Sequence, residues 1–405
     1  VDHLVSCWLG LVKIRRIGAD ERLTLTFPLQ AYAFDHSPQA PAEFEKFRES
    51  VPYNEGNLTL VAEADGAPVA CASAIPMRQN VRGTAYPMAG IGGVATHPLA
   101  RRQGHVRALM TDLLGRMRDE GHAVSALYPF RPSFYARFGY IGLPQARSVT
   151  FVPGDLGPLL GRELPGEVAF VRIRDGYDTY RALLERFLAD RHGFATFPDY
   201  RAVRLRDEDG CWLATAQVGG EVIGAVTYRI TGHAGELVAD HLLATTPLAR
   251  ALLLQFFARH VDQVTRVVAT VAPDELPELW EADLGTVTEA RATFPENAPM
   301  ARVLSVDALA GIPAGEGRVA IEVPDDPFIA GRYLLDGGGG ALTVERGTAP
   351  VPVATVTAAG LSGLVYGVLD PDDVTVRGLG AIPPDAAAQL RALWPRRVPY
   401  LAVGF

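Results

Sequence analysis

Two stretches of alternating apolar and polar residues, each broken by a tight-turn dipeptide, predict β-hairpins in separate parts of the chain. Leu58–Ala64 turns at Asp65-Gly66 into Val69–Ala74, and Trp212–Val218 turns at Gly219-Gly220 into Val222–Tyr228. Dipeptides of this kind supply the positive φ angles that a two-residue hairpin loop needs. Downstream of each hairpin the apolar period lengthens. Val106, Leu109, Met110, Leu113, Leu114 and Met117 share one face of a helix that starts near Arg102 and ends before Gly121. The second helix, Arg250–Val261, is apolar nearly all round at Leu252, Leu253, Leu254, Phe256 and Phe257. It is predicted to be the more deeply buried of the two.

Between hairpin and helix the chain repeats itself. Ala95-Thr96-His97-Pro98-Leu99-Ala100-Arg101 recurs as Ala244-Thr245-Thr246-Pro247-Leu248-Ala249-Arg250. With the same elements in the same order around each copy, the repeat reads as a duplication. A different pattern begins near Met300. After Val303, Leu304, Val306 and Leu309 come short strands at Val319–Val323, Tyr333–Leu335, Ala341–Val344 and Val353–Val356, helices at Leu361–Leu369 and Asp385–Trp394, and a strand at Val398–Phe405. Asp336 and Gly337–Gly340 form a hairpin turn in this reading. A glycine-rich phosphate cradle would open a helix, whereas here a strand resumes. The expected organisation is an N-terminal extension (1–11), two related units (12–150 and 151–300) and an α+β unit (301–405). No low-complexity linker separates them, so tight packing is expected.

Composition narrows the class. The 405 residues are 48% hydrophobic and 21% charged, the balance of a folded globular chain. A net charge of −8 argues against a general nucleic-acid binder and favours a cationic partner. Cys7, Cys71 and Cys211 lie far apart, with no Cys/His cluster, so neither a structural metal nor a disulfide framework is expected. No apolar run approaches the roughly 20 residues needed to span a bilayer. Leu4–Val12 lacks the basic flank and cleavage site of a signal peptide, so the expected location is cytoplasmic.

The two copies differ where chemistry is expected. Only the first carries Arg101-Arg102-Gln103-Gly104-His105-Val106-Arg107 ahead of its helix, and the other copy reads as if this loop had been deleted. Free N–H groups at a helix start, a glycine allowing close approach and flanking arginines together make an anion site suited to a pyrophosphate. The nearby Gly90-Ile91-Gly92-Gly93-Val94-Ala95 matches a dinucleotide fingerprint in letters only. Pro98 and the late helix start deny it the helix that the fingerprint must open. A second dense cluster is Tyr128-Pro129 followed by Ser133-Phe134-Tyr135-Ala136-Arg137-Phe138-Gly139-Tyr140. It reads as an aromatic pocket wall, with a tyrosine available as a proton donor.

Strand, Arg-Arg-Gln-Gly-His-Val, amphipathic helix, strand and Phe-Tyr-Ala-Arg-Phe-Gly-Tyr resemble the GNAT N-acetyltransferases, and the duplicated layout resembles the Eis family among them. The resemblance implies a mixed α/β and α+β chain with tandem GNAT folds, the second degenerate, and a C-terminal sterol-carrier-protein-like domain. It also implies acetyl-CoA as co-substrate, held by main chain of Val94, Ala95 and Thr96, by the loop Arg102, Gln103, Gly104, His105, Val106 and Arg107, and by Phe130 and Arg131. Tyr135 would protonate the departing thiolate, and the free carboxylate of Phe405 would be the general base. Some relatives have an acidic residue just before the terminal aromatic, where this chain has Gly404. Phe34 and Asp35 would line the acceptor pocket. A hexamer is implied as well.

Direct transfer to an amine is expected, with N–H groups beside Gly92, Gly93 and Val94 holding the oxyanion. Cys71 has no neighbouring histidine in sequence to activate it, and His97 and His105 read as phosphate or solvent contacts. The leading acceptor is a cationic small molecule, aminoglycoside- or polyamine-like. A protein lysine is the alternative substrate, and a lipid-binding scaffold without catalysis is the alternative of another class.

Overall fold

The computed structural model describes residues 12–34, 38, 40–290, 298–347 and 349–405. The expected N-terminal extension and Asp35 lie outside the described residues.

The first unit is built on strands β1 (Lys13–Ile17), β2 (Leu58–Ala64), β3 (Ala67–Val81), β4 (Thr84–Thr96), β5 (Val124–Leu127) and β6 (Ile141–Gly142), with helices α1 (Arg22–Leu25), α2 (Phe27–Phe34), α3 (Pro41–Ser50), α4 (His105–Asp119) and α5 (Pro132–Ala136). The β2–β3 hairpin turns at Asp65 (φ 51°) and Gly66 (φ 77°), the left-handed pair that such a loop requires. Strands β4 and β5 are parallel and need a crossover, which α4 supplies. Leu109, Met110, Leu113, Leu114 and Met117 on its apolar face are buried with Leu60, Ala72 and Ile91 of the sheet.

The second unit repeats the plan. Trp212–Val218 and Glu221–Ile230 pair around Gly219 (φ 57°) and Gly220 (φ 83°), and helix Pro247–Ala258 connects the parallel strands Gly235–His241 and Val264–Val271. That helix buries Leu252, Leu253, Leu254, Phe256 and Phe257, as its all-round apolar surface predicts. The third unit is a five-stranded sheet in the order Thr343–Arg346, Gly331–Asp336, Arg318–Val323, Val353–Val356, Gly380–Ala381, packed with helices Ala358–Val365, Pro371–Val376 and Pro384–Leu393.

The chain crosses between units at three strands, one of them Ala195–Thr196, which pairs with β3 of the first sheet. Arg147–Phe151 belongs to the second sheet, and Met300–Val303 lies between β5 and β6 in the first. One hydrophobic core then runs from Met77 and Val124 of the first sheet to Ile321, Leu361 and Leu364 of the third unit. Arg302, fully buried, pins this junction. Its guanidinium makes two 3.0 Å contacts with the carboxylate of Asp326 and also donates to the Phe138 carbonyl.

Two sequence expectations are corrected. The first helix begins at His105 rather than near Arg102, because Arg102 (φ 64°) and Gly104 (φ 87°) are left-handed and cannot be part of an α-helix. Residues Val398–Phe405 form no strand. Tyr400, Leu401 and Ala402 are all buried, so this segment threads between units instead of offering alternate faces to a sheet edge.

Candidate active site

Strand β4 carries an irregular backbone. Ser73 pairs with Gly92 and Cys71 with Ala95, so Gly93 and Val94 together face Ala72. This is a β-bulge with a left-handed glycine, Gly93 at φ 62°. The Gln30 side chain fixes it by donating to the Gly93 carbonyl at 3.1 Å. Sequence reasoning missed Gln30, because nothing around it marks a side chain that reaches across to a bulge.

On its other edge β4 pairs with β5 only from Met88 to Ile91. Beyond Ile91 and Leu127 the two strands part, leaving that edge of Gly92–Thr96 without a strand. The corresponding parallel pair of the second unit stays together from Gly235 to His241, and the Leu242 N–H then continues to the Thr270 carbonyl at 2.8 Å. Aligned by the repeat, the second unit parts about two residues later, after Leu242, and Leu243–Ala244 then pairs with Glu221–Ile230 rather than with Val264–Val271.

The loop ahead of α4 faces solvent at Arg101, Arg102, Gln103, Gly104 and Arg107. Two left-handed residues in three bend the backbone into a concavity, and the first-turn N–H groups of α4 have no carbonyl partner within the helix. Cationic side chains, free N–H groups and a helix N-terminus suit a phosphate-bearing group. In the second unit the helix starts directly at Pro247, capped by the Thr246 hydroxyl accepting from Ala249 N–H, so no such loop exists there. His97 caps its own turn by accepting from Leu99 N–H, and His105 is buried beside Gln103. Burial lowers the His105 pKa, which keeps it neutral.

The aromatic cluster closes the far side of the cleft. Tyr135, only 3% exposed, stacks edge-on to Phe134, Phe130 and Tyr140 and shares a cluster with Ile91 and Leu127. Burial pushes its hydroxyl well above the usual tyrosine range, so it stays protonated. Tyr140 is held by Ser125, whose hydroxyl also donates to the Ala89 carbonyl. Phe130 and Arg131 are exposed at the cleft margin. Cys71 donates weakly to the Gly93 carbonyl, and burial pushes its thiol up to about 12, so no thiolate is available.

The C-terminal segment enters this cleft. A methyl added at Gly90 would lie 3.2 Å from the Phe405 ring, and one added at Gly92 would lie 3.7 Å from the Phe405 carbonyl carbon. Tyr128 holds the segment by donating to the Val403 carbonyl at 2.9 Å, and its ring meets that of Phe405 edge-on. Upstream, Tyr400 N–H donates to the His192 carbonyl, and the Tyr400 hydroxyl bonds His241. The structure thus brings together Tyr135, Phe405, Val94, Ala95, Thr96 and the Arg102–Arg107 loop around one unit. Phe34 ends α2 and is exposed. Among the described residues no metal-binding cluster is present, and no helix is long and apolar enough to cross a membrane.

A bulged strand that parts from its parallel neighbour, an arginine- and glycine-bearing loop and a crossover helix give the first unit the GNAT layout, and the second unit repeats that fold without the loop. Two family models, both described as the acetyltransferase (GNAT) domain, match residues 13–141 and 190–303. Among curated proteins, N-acetyltransferase Eis from Mycobacterium tuberculosis and from Mycobacterium bovis is 43% identical over 54 residues, 13% of this chain. The matched stretch spans only 13% of the length of those relatives. Among solved structures, a GCN5-related N-acetyltransferase from Kribbella flavida superposes with a TM-score of 0.80 at 22% identity, covering 97% of this chain and 98% of that one. Eis1 from Mycobacterium abscessus gives 0.75 at 20% identity, covering 97% and 100%. At these identities the likeness is one of fold.

Proposed function

We propose that this protein transfers acetyl from acetyl-CoA directly to a primary amine. The observation that carries the reading is the parting of β4 from β5 after Ile91 and Leu127, directly ahead of the loop Arg102–Arg107. The pyrophosphate of the cofactor would lie on the loop and the first turn of α4. The pantetheine arm would take the place of the missing strand along Val94, Ala95 and Thr96, with Phe130 and Arg131 at the margin. Main-chain N–H groups near the bulge would then hold the developing oxyanion, the interaction that usually contributes most to acyl transfer.

In this mechanism the amine nitrogen attacks the thioester carbonyl, the carbon–sulfur bond breaks, and Tyr135 gives its proton to the departing sulfur. A hydroxyl kept protonated by burial suits that role. Where the polypeptide ends at Phe405, its carboxylate is placed beside Gly92 to take the proton from the amine, directly or through water. The acidic balance of the chain favours an amine that is cationic in solution, aminoglycoside- or polyamine-like, with Phe34 and Asp35 on the acceptor side. A cytoplasmic location, a hexameric assembly and a sterol-carrier-protein-like third unit complete the reading.

The test is thiol release from acetyl-CoA with a panel of primary amines, run beside calorimetric acetyl-CoA binding. Turnover that is lost when one residue is added after Phe405, with binding retained, supports both the enzyme and the base. An extended form as active as the original removes the terminal base. A protein that does not bind acetyl-CoA sinks the whole reading.

A further inference from the structure

A cavity of about 340 Å³ opens between the second unit and the C-terminal segment, with Val403 and Gly404 on one wall and the helix Ile173–Asp190 and residues 196–208 on the other. Its cations and carboxylates are mostly paired. Glu185 bonds Arg78, Glu208 bonds Arg204, and Arg181 bonds Asp199. Arg201 is the exception. It lies over the Phe197 ring and donates to the neutral Asn54 side chain at 2.6 Å, and no carboxylate among the described residues pairs with it. Arg22, itself buried, donates to the same Asn54 through the main-chain carbonyl, so a second cation adds to the uncompensated charge. Burial, with Arg204 and Arg22 nearby, lowers the Arg201 guanidinium to about 10.

A guanidinium without a carboxylate partner on a cavity wall suits a hydrogen-bond acceptor that carries negative charge.

We propose that this cavity receives a carboxylate on the same molecule that carries the acetyl-accepting amine, with Arg201 as counter-ion. A carboxylate matches the planar fork of a guanidinium, and its single charge matches a single arginine. Gly404 borders the cavity and Phe405 lies against Gly92, so a molecule anchored at Arg201 extends its amine toward the cleft. The inference rests on the acetyltransferase reading and replaces its aminoglycoside- or polyamine-like acceptor with one that is amino-acid-like, cationic at the reacting end and anionic at the other.

The experiment compares 6-aminohexanoate with hexylamine as probes, by calorimetric binding to the protein saturated with coenzyme A and by thiol release from acetyl-CoA. The expected result is a preference of about ten- to hundred-fold for 6-aminohexanoate, the range of a charge-assisted hydrogen bond pair. Arg201→Met should reduce that preference at least ten-fold, chiefly through KM. Equal binding of the two probes, or a preference that survives in Arg201→Met, overturns the proposal. If Arg201→Met fails to fold, Arg201→Lys, which keeps the charge and loses the planar fork, decides, and an unchanged preference there overturns it equally. Selective binding without thiol release from any amine would keep the carboxylate site and remove the acetyltransferase reading, so the two failures are distinguishable.

Discussion

The Tyr128 hydroxyl donates to the Val403 carbonyl at 2.9 Å, joining the residue that follows β5 to the chain two residues before Phe405. The strand end where the cleft opens and the segment that fills one side of it are therefore a single mechanical unit. Placement of Phe405 depends on that bond, on edge-on ring packing with Tyr128, and on two glycines of β4.

Gly90→Ala tests the placement. The added methyl would lie 2.6 Å from the Met77 sulfur and 3.2 Å from the Phe405 ring, so one of them must move. With the acetyl-CoA loop untouched, kcat should fall roughly 10- to 100-fold while acetyl-CoA affinity stays within about 3-fold. Steady-state kinetics beside calorimetric binding checks this. An unchanged kcat in a variant whose Phe405 is shown to be displaced would mean that Phe405 has no part in the chemistry.

Tyr135→Phe should lower kcat by about 10²- to 10⁴-fold, the usual contribution of a positioned general acid. Because burial raises the hydroxyl's pKa, the acid form persists through the alkaline range, and Tyr135 itself should impose no activity loss between about pH 7 and pH 10. A pH–rate profile whose alkaline limb disappears in Tyr135→Phe would contradict that assignment.

At the loop, Gly104→Ala separates conformation from bulk. A methyl there would meet nothing within 4 Å, but φ is 87°. The substitution should strain the loop by about 1 kcal/mol and weaken coenzyme A binding several-fold, with little effect on kcat at saturation. Coenzyme A affinity equal to that of the original protein would show that the left-handed loop does not hold the pyrophosphate.

His192 predicts how stability follows pH. Its Nδ1 accepts from Arg82 N–H at 3.0 Å, so Nε2 must donate to the Tyr366 carbonyl at 2.9 Å, and the ring is neutral. Burial, reinforced by nearby arginines, lowers its pKa to about 4 from 6.5. The unfolded chain then binds the extra proton, so stability is complete above about pH 6.5 and is lost as pH falls toward 4. Between pH 7 and pH 5 the loss should be about 2 kcal/mol. Urea midpoints at the two pH values measure it, and His192→Gln, though less stable throughout, should lack this component. The same pH slope in both proteins would assign the dependence elsewhere.

Local patterns explain what was legible in the sequence. Asp65-Gly66 and Gly219-Gly220 mark their hairpins because only certain residues tolerate left-handed φ, and α4 is marked by a face of five buried side chains. The site loop was visible because its duplicate lacks it. What escaped is non-local. Gln30 reaching Gly93, Tyr128 holding Val403 and Arg302 pairing with Asp326 each join positions between 24 and 275 residues apart, and no spacing rule foretells such partners. Val398–Phe405 misled because an apolar run reads the same in sequence whether it pairs in a sheet or threads between units.

Strand Met300–Val303 completes the first sheet from the far end of the second unit, and this sets an order on synthesis. As the chain leaves the ribosome, β5 emerges with one edge open and stays so until the whole second unit has followed. The second unit's own core can form in that interval, while the cleft-bearing sheet waits for its closing strand and for the shared core of the third unit. Of the three units, the one synthesised first is thus the last to become whole, and a fragment ending at β6 would be born with an unsealed edge.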